Sequence, residues 1–174
     1  MFSTKRFSDA FLLLLLGLIL TVCGYALGHY LGKPLLDHAK ASASWPSVSG
    51  KIESSQVITH HAHRHHGKHS NRNNTYSHLV EYNYQVNQQQ FTNKVVWFGD
   101  DYSSSSRTTH QNVVQRYPVG TEVKVYYDPS HPELSVLEPG AKFSSYVLYG
   151  LGWTLTVIGV LILWSGIRTA IWPF

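Results

Sequence analysis

The chain has 174 residues, with 14 Lys and Arg against 10 Asp and Glu for a formal net charge of +4, 11 His and a single Cys. So small a positive excess, with no basic face interleaved with aromatics, argues against a nucleic-acid surface and suits contact with anionic lipid headgroups. One cysteine excludes an internal disulfide. The mean hydropathy of −0.15 averages two apolar ends and a polar middle of about a hundred residues, the size of one small domain.

Residues 1–10 carry Lys5, Arg6 and Asp9 and read as a short cytoplasmic N-terminus under the positive-inside rule. Residues 11–31, from Phe11 to Leu31, contain no Asp, Glu, Lys or Arg. At about 1.5 Å per residue they span the ~30 Å hydrocarbon core of a bilayer, so they are expected to form a first transmembrane helix. The Ala-x-Ala patterns at Ala39–Ala41 and Ala41–Ala43 lie too far beyond the centre of this long run for a cleaved signal peptide, which leaves an uncleaved signal anchor. Cys23 reads as a buried packing residue. Lipid attachment is disfavoured because Val22 is bulky where a lipoprotein signal needs a small residue.

Within this span Gly17, Thr21, Gly24, Gly28 and Gly32 recur every three or four residues, and the second span answers with Gly152, Thr156, Gly159 and Gly166. Small residues on one helix face let two backbones approach closely in lipid. The two spans are therefore expected to pack on each other as an antiparallel pair, or else to present a seam to a second copy or another membrane protein.

Residues 32–44, with Pro34 and the small residues Ala39 to Ser44, read as a linker. Residues 45–142 read as a small β-rich domain, because the patterning turns strand-like at Trp45. Ser47 to Thr59 is a first strand. His78 to Val86 is the clearest one: Val80, Tyr82, Tyr84 and Val86 alternate with Leu79, Glu81, Asn83 and Gln85, which puts one set on a buried face. Asn87 to Gln89 makes a turn, and Gln90 to Phe98 a returning strand with Phe91, Val95 and Trp97 on one side. Thr108 to Arg116 is a short helix, Pro118-Val119-Gly120 a turn, and Glu122 to Asp128 a last strand with Val123, Val125 and Tyr127 inward.

Residues 143–167, containing the apolar run Tyr146 to Ile167, form the second transmembrane helix, with Tyr146, Tyr149 and Trp153 at one end and Trp164 and Trp172 towards the other as interfacial aromatics. Residues 168–174 with Arg168 form a short cytoplasmic C-terminus. The fold class expected is a membrane α+β protein: two transmembrane helices flanking a small antiparallel β-sheet or barrel-like domain.

The order of these signals resembles a known family. Trp45-Pro46-Ser47-Val48-Ser49-Gly50-Lys51-Ile52, Val80 to Val86, Tyr117-Pro118-Val119-Gly120, Val123-Lys124-Val125-Tyr126-Tyr127-Asp128-Pro129, Pro132 and Ser135 to Gly140, lying between two apolar spans, are similar to the domain of unknown function 3592 family. The resemblance implies a bacterial membrane protein with a small β-rich domain between two helices and no established activity, and it carries over no catalytic residue. The chain departs from the family pattern at Asn87-Gln88-Gln89, where the family often has Gly, and in a histidine-rich insert.

That insert places His60, His61, His63, His65, His66 and His69 within ten residues. Neutral imidazole binds zinc, copper and nickel. However, no Cys, Asp or Glu stands among these histidines, and Arg64, Lys68 and Arg72 oppose a cation. The loop 60–69 is read as a polar hairpin loop. Weak capture of Zn, Cu or Ni is the alternative, and a pH-responsive contact with anionic lipid a third reading. Asp100-Asp101 and Asp128 read as turn residues.

Ser103 to Ser106, Ser135 and His110 include a nucleophile and a base, but no Gly-x-Ser-x-Gly elbow surrounds any serine. The expectation is therefore no catalytic residue, no cofactor beyond a weakly bound metal, no nucleic-acid partner and no small-molecule substrate. The protein expected is a non-enzymatic, multi-pass protein of the bacterial cytoplasmic membrane. Its central domain faces the periplasm or exterior, and its partners are the bilayer, another envelope membrane protein or a second copy of itself.

Overall fold

The computed structural model describes residues 3–61 and 74–171, which divide into two compact units, one within Met1–Asp37 and Phe143–Phe174 and one within His38–Lys142. The first is helical. α1 (Ser3–Ala26) continues through a π-helical turn (Leu27–Gly32) into α2 (Lys33–Ala41), and a 3-10 turn follows at Ser42–Ser44. The stretch 32–44 is thus helical and not the linker expected. Pro34 is tolerated because the π-turn shifts the ladder: the Lys33 N–H already donates to the Gly28 carbonyl, and the next N–H, the one proline lacks, falls where the register slips.

The second long helix, α4 (Phe143–Ile171), runs antiparallel to α1. A Cβ built on Gly17 would stand 2.7 Å from the Leu163 backbone N, one on Gly24 2.6 Å from that of Thr156, and one on Gly32 2.6 Å from that of Tyr149. Gly152 and Gly159 meet the backbones of Gly28 and Thr21 in the same way, and Gly166 meets the Leu14 side chain more loosely, at 3.1 Å. The hydroxyls of Thr21 and Thr156 donate to their own helices, at Gly17 O (2.8 Å) and Gly152 O (2.9 Å), so both are satisfied within the seam. The opposite faces, including Leu12, Ile19, Val22, Val157, Leu161 and Trp164, are exposed. Cys23 lies there too, and not in the packed interior expected of it, because the glycine stripe occupies the inward face. The segments Ser8–Ser44 and Phe143–Ile171 are long and apolar enough to cross a membrane.

The second unit is a five-stranded antiparallel sheet: β1 (Ser47–His60), β2 (Thr75–Val86), β3 (Gln89–Asn93), β4 (Glu122–Tyr127) and β5 (Ser135–Val136). The order is β3-β2-β1-β4-β5, so the sheet is open and not a barrel. α3 (Arg107–Arg116) packs on β1 and β2. Its N-cap is Ser106, whose side chain accepts from the Thr109 N–H.

The even-numbered residues of β2 turn inward as the alternation predicts: Val80, Tyr82, Tyr84 and Val86 are buried. A bulge at Glu53 shifts the register of β1 between Ile52 and Ser54. The extra residue keeps both Ile52, opposite Tyr82, and Ser55, opposite Val80, on the inner face. Val96, Trp97, Val113, Val125 and Leu137 complete the core, with Phe91, Tyr117, Val123 and Tyr127 packed against it. The aromatic residues are thus largely consumed in the core.

The returning strand is shorter than the expected Gln90 to Phe98. It stops at Asn93 because side chains take over the backbone donors: the Asn93 Oδ1 accepts from the Lys94 N–H at 2.7 Å, and the Asp100 Oδ2 from the Val96 N–H at 2.6 Å. The turn before it is a two-residue one. Asn87 and Gln88 both have positive φ, 50° and 68°, between the paired residues Val86 and Gln89, as a type I′ hairpin requires.

Candidate functional site

Of the histidines proposed for metal, His60 and His61 are described, and His63, His65, His66 and His69 lie outside the described residues. The His60 Nε2 is hydrogen-bonded to the Ser77 Oγ at 2.9 Å, and His61 is exposed. Among the described residues no group of three or more His, Cys, Asp or Glu is arranged to hold a metal ion.

The polar residues that do converge lie between β2, the loop after β3 and α3. His110, on α3, is wholly buried, and the His78 side chain on β2 is 3 % exposed. Their rings stack at 5.4 Å between centroids, with the two Nδ1 atoms 3.1 Å apart. The His110 Nε2 reaches the Ser104 Oγ at 3.0 Å, and the His78 Nε2 faces the Asp100 Oδ2 at 3.7 Å. Trp97 stacks on His78 at 5.6 Å and Tyr102 lies 5.3 Å from His110. Beside these groups the backbones of Ser104 and Tyr76 exchange two hydrogen bonds of 2.7 and 2.9 Å, which tie the loop to the first residues of β2.

Burial, with the His78 ring as the smaller contribution, lowers the pKa of His110 from its ordinary value, so its neutral form is favoured in the fold. Burial likewise pushes the Tyr82 hydroxyl far above its usual range. That hydroxyl donates to the Val95 carbonyl at 2.9 Å and meets the Ser135 Oγ at 3.1 Å.

This network joins His110 to a serine, as a hydrolase would need, but in a closed form. The Ser104 Oγ is also held by the main chain of Ser106, whose carbonyl and N–H each lie 3.3 Å away, and His110 has no exposed surface through which a substrate could approach. A shallow open groove lies elsewhere, on the outer face of the sheet, lined by Ser49, Lys51, Asn83, Gln85, Gln90 and Glu122 among others.

A third feature is the free edge of β1. β4 pairs with β1 only from Ser47 to Lys51, and the Ile52 backbone closes the seam with Thr121 and Gly120. Beyond it, among the described residues, no strand pairs with that side of β1 as far as His60. The edge reads Ser54-Ser55-Gln56-Val57-Ile58-Thr59, with no charge and no proline to blunt it.

Glu138 is fully engaged: it accepts from the Tyr117 hydroxyl at 2.8 Å and pairs with Arg116 and Lys142. The Lys142 ammonium also sits 4.5 Å from the centre of the Trp97 ring. This cluster ends the sheet domain.

A family profile described as Domain of unknown function (DUF3592) matches residues 48–142, the span that holds the five strands except Ser47, the first residue of β1, together with α3 and the buried histidine pair. No curated protein matches the chain. Since the profile covers more than half of the sequence, the chain belongs to the DUF3592 family.

Proposed function

We infer that this is a non-enzymatic membrane protein whose two helices cross the cytoplasmic membrane and whose β-domain, on the outer side, assembles with a second copy through the free edge of β1. The helices have a glycine seam turned toward each other and apolar faces turned outward, which is the arrangement of an anchor in lipid. The single observation that carries the assembly reading is the uncharged edge from Ser54 to Thr59, with which no strand pairs among the described residues. An unpaired strand edge offers a row of N–H and C=O groups to a further strand. Two identical edges lacking charge meet antiparallel without like-charge repulsion. Confinement to a membrane raises the effective concentration of copies, so a short edge is sufficient.

The test is photo-crosslinking of the full chain in membranes from a reactive amino acid at Gln56, which is exposed on that edge, and separately at Gln85, exposed on the outer face of β2. The expected result is a dimer-sized product of the chain with itself from Gln56 and none from Gln85. A heterologous product at Gln56 would replace the second copy by another envelope protein. Products from Gln85 alone would move the contact to the groove and overturn the edge reading.

A further inference from the structure

We propose that the His78–His110 pair is an acid-released latch, which holds α3 and the Ser104 bridge against β2 near neutral pH and lets them part when both rings are protonated. This stands independently of the assembly reading, because it concerns how the domain holds itself together.

The geometry sets the proton count. Two Nδ1 atoms 3.1 Å apart form a hydrogen bond only when one carries a proton and the other offers a lone pair. The outer partners fix the direction. The Ser104 O–H donates to the His110 Nε2, the His110 Nδ1–H to the His78 Nδ1, and the His78 Nε2–H points at Asp100, an assignment made from the partners of each nitrogen. One further proton can be held. His78 then carries both of its protons, toward Asp100 and toward the His110 Nδ1, while His110 turns its own proton to Ser104, whose hydroxyl donates to the Ser106 carbonyl. A second proton puts N–H against N–H and two like charges at 3.1 Å, so the closed pair refuses it.

The surroundings offer no further relief. From the loop after β3, Asp100, Tyr102 and Ser104 face the pair. From β1, Val57 stands opposite His78 in the ladder and Ser55 is bonded to the Val114 carbonyl of α3. Trp97 lies on His78 and carries the Lys142 ammonium, a cation that adds to the cost of a second proton. Asp100 is the carboxylate available, and it already accepts from the Val96 N–H. Glu138 is committed to Arg116, Lys142 and Tyr117.

Once apart, two solvated rings take two protons near the ordinary histidine value. Because the closed pair holds at most one added proton, the open form binds at least one proton more below about pH 6.5, and its population rises about tenfold or more for each pH unit below that value. The sign agrees with the lowered pKa of His110. Stability from its neutral form is complete above the unfolded value and is lost as pH falls through it.

The experiment is amide hydrogen exchange on the full chain in lipid nanodiscs at pH 7.5 and 5.5, read as protection factors so that the intrinsic pH dependence cancels. The probes are the amides of Tyr76 and Ser104, which make the two-way bridge. Protection of both is expected to fall about tenfold at the lower pH while that of Val125, in the core, holds. In His110→Asn, whose amide occupies the Nδ1 position and takes no proton, the loss shrinks severalfold. Should that variant fail to fold, Asp100→Asn serves. It removes the anion that lets the closed pair hold its first proton, so opening begins at higher pH. Equal protection of Tyr76 and Ser104 at both pH values in the wild type, or an Asp100→Asn opening midpoint unmoved or moved to lower pH, overturns the latch.

Discussion

At the β2–β3 turn, single residues carry conformations that their neighbours impose. The hairpin closes through Asn87 and Gln88, both at positive φ, the type I′ geometry, whose twist matches that of the strands it joins. Asn accepts the left-handed region readily and Gln does not, at a cost of roughly 1 kcal/mol. Glycine removes that cost but adds freedom to the unfolded chain, so the two effects partly cancel. Gln88→Gly is accordingly expected to stabilise the sheet domain by about 0.5 kcal/mol, read as a rise in the denaturant midpoint with an unchanged slope. A lowered midpoint would show that the Gln88 side chain holds the turn by contacts that outweigh its backbone strain. The buried histidines obey the same local logic. His78 continues the inward series Val80, Tyr82, Tyr84 and Val86 by one step toward the start of β2, and His110 precedes Val113, the other buried residue of α3, by three positions on the same helix face. Each is inward by position alone.

Among the elements, the closest constraint is the seam between α1 and α4. Glycines approach backbone atoms of the facing helix so nearly that a Cβ at Gly24 would fall 2.6 Å from the Thr156 N and 2.9 Å from the Leu155 Cβ. Neither neighbour is a flexible chain end, so a side chain there forces the helices apart along the seam. Gly24→Leu is expected to cost about 2 kcal/mol or more through overpacking. It should lower the thermal midpoint of the detergent-solubilised chain by several degrees, while Val22→Leu, on the outward face, leaves it unchanged. An equal midpoint for Gly24→Leu and the native chain would mean that the seam opens freely. The stripe was legible because small residues at helical spacing have one dominant use in lipid. Likewise β2 was legible because its alternation is uninterrupted. What the sequence hid is nonlocal or depends on side chains acting on backbone. β3 ends at Asn93 through bonds from Asn93 and Asp100, β5 is two residues long and exists by pairing with β4, and the helix beyond Leu31 survives Pro34 by slipping into a π-turn. The meeting of His78 with His110, 32 residues apart, depends on α3 crossing β2, which no local pattern announces.

For the molecule as a whole, the decisive physical quantity is which side of the bilayer each segment occupies. With both long helices crossing, as proposed above, residues 45–142 lie on one side and the flanking segments on the other. Lys5 and Arg6 precede the first crossing and Arg168 follows the second, and short basic flanks are retained in the cytoplasm, whereas a domain of about a hundred residues is translocated largely regardless of its charge. The sheet domain is therefore expected outside. A membrane-impermeant maleimide tests this on intact cells expressing the full chain with Cys23 replaced by Ser and one new cysteine introduced. Ser130→Cys, in the exposed turn after β4, should label fully from outside. Thr169→Cys, at the end of α4, should label only after the membrane is permeabilised. The reverse pattern would put the sheet domain in the cytoplasm, where the strand edge of β1 would meet cytosolic partners and the histidine pair would seldom encounter acid. The same two cysteines thus decide whether the assembly edge and the acid latch operate in the compartment that gives each of them a use.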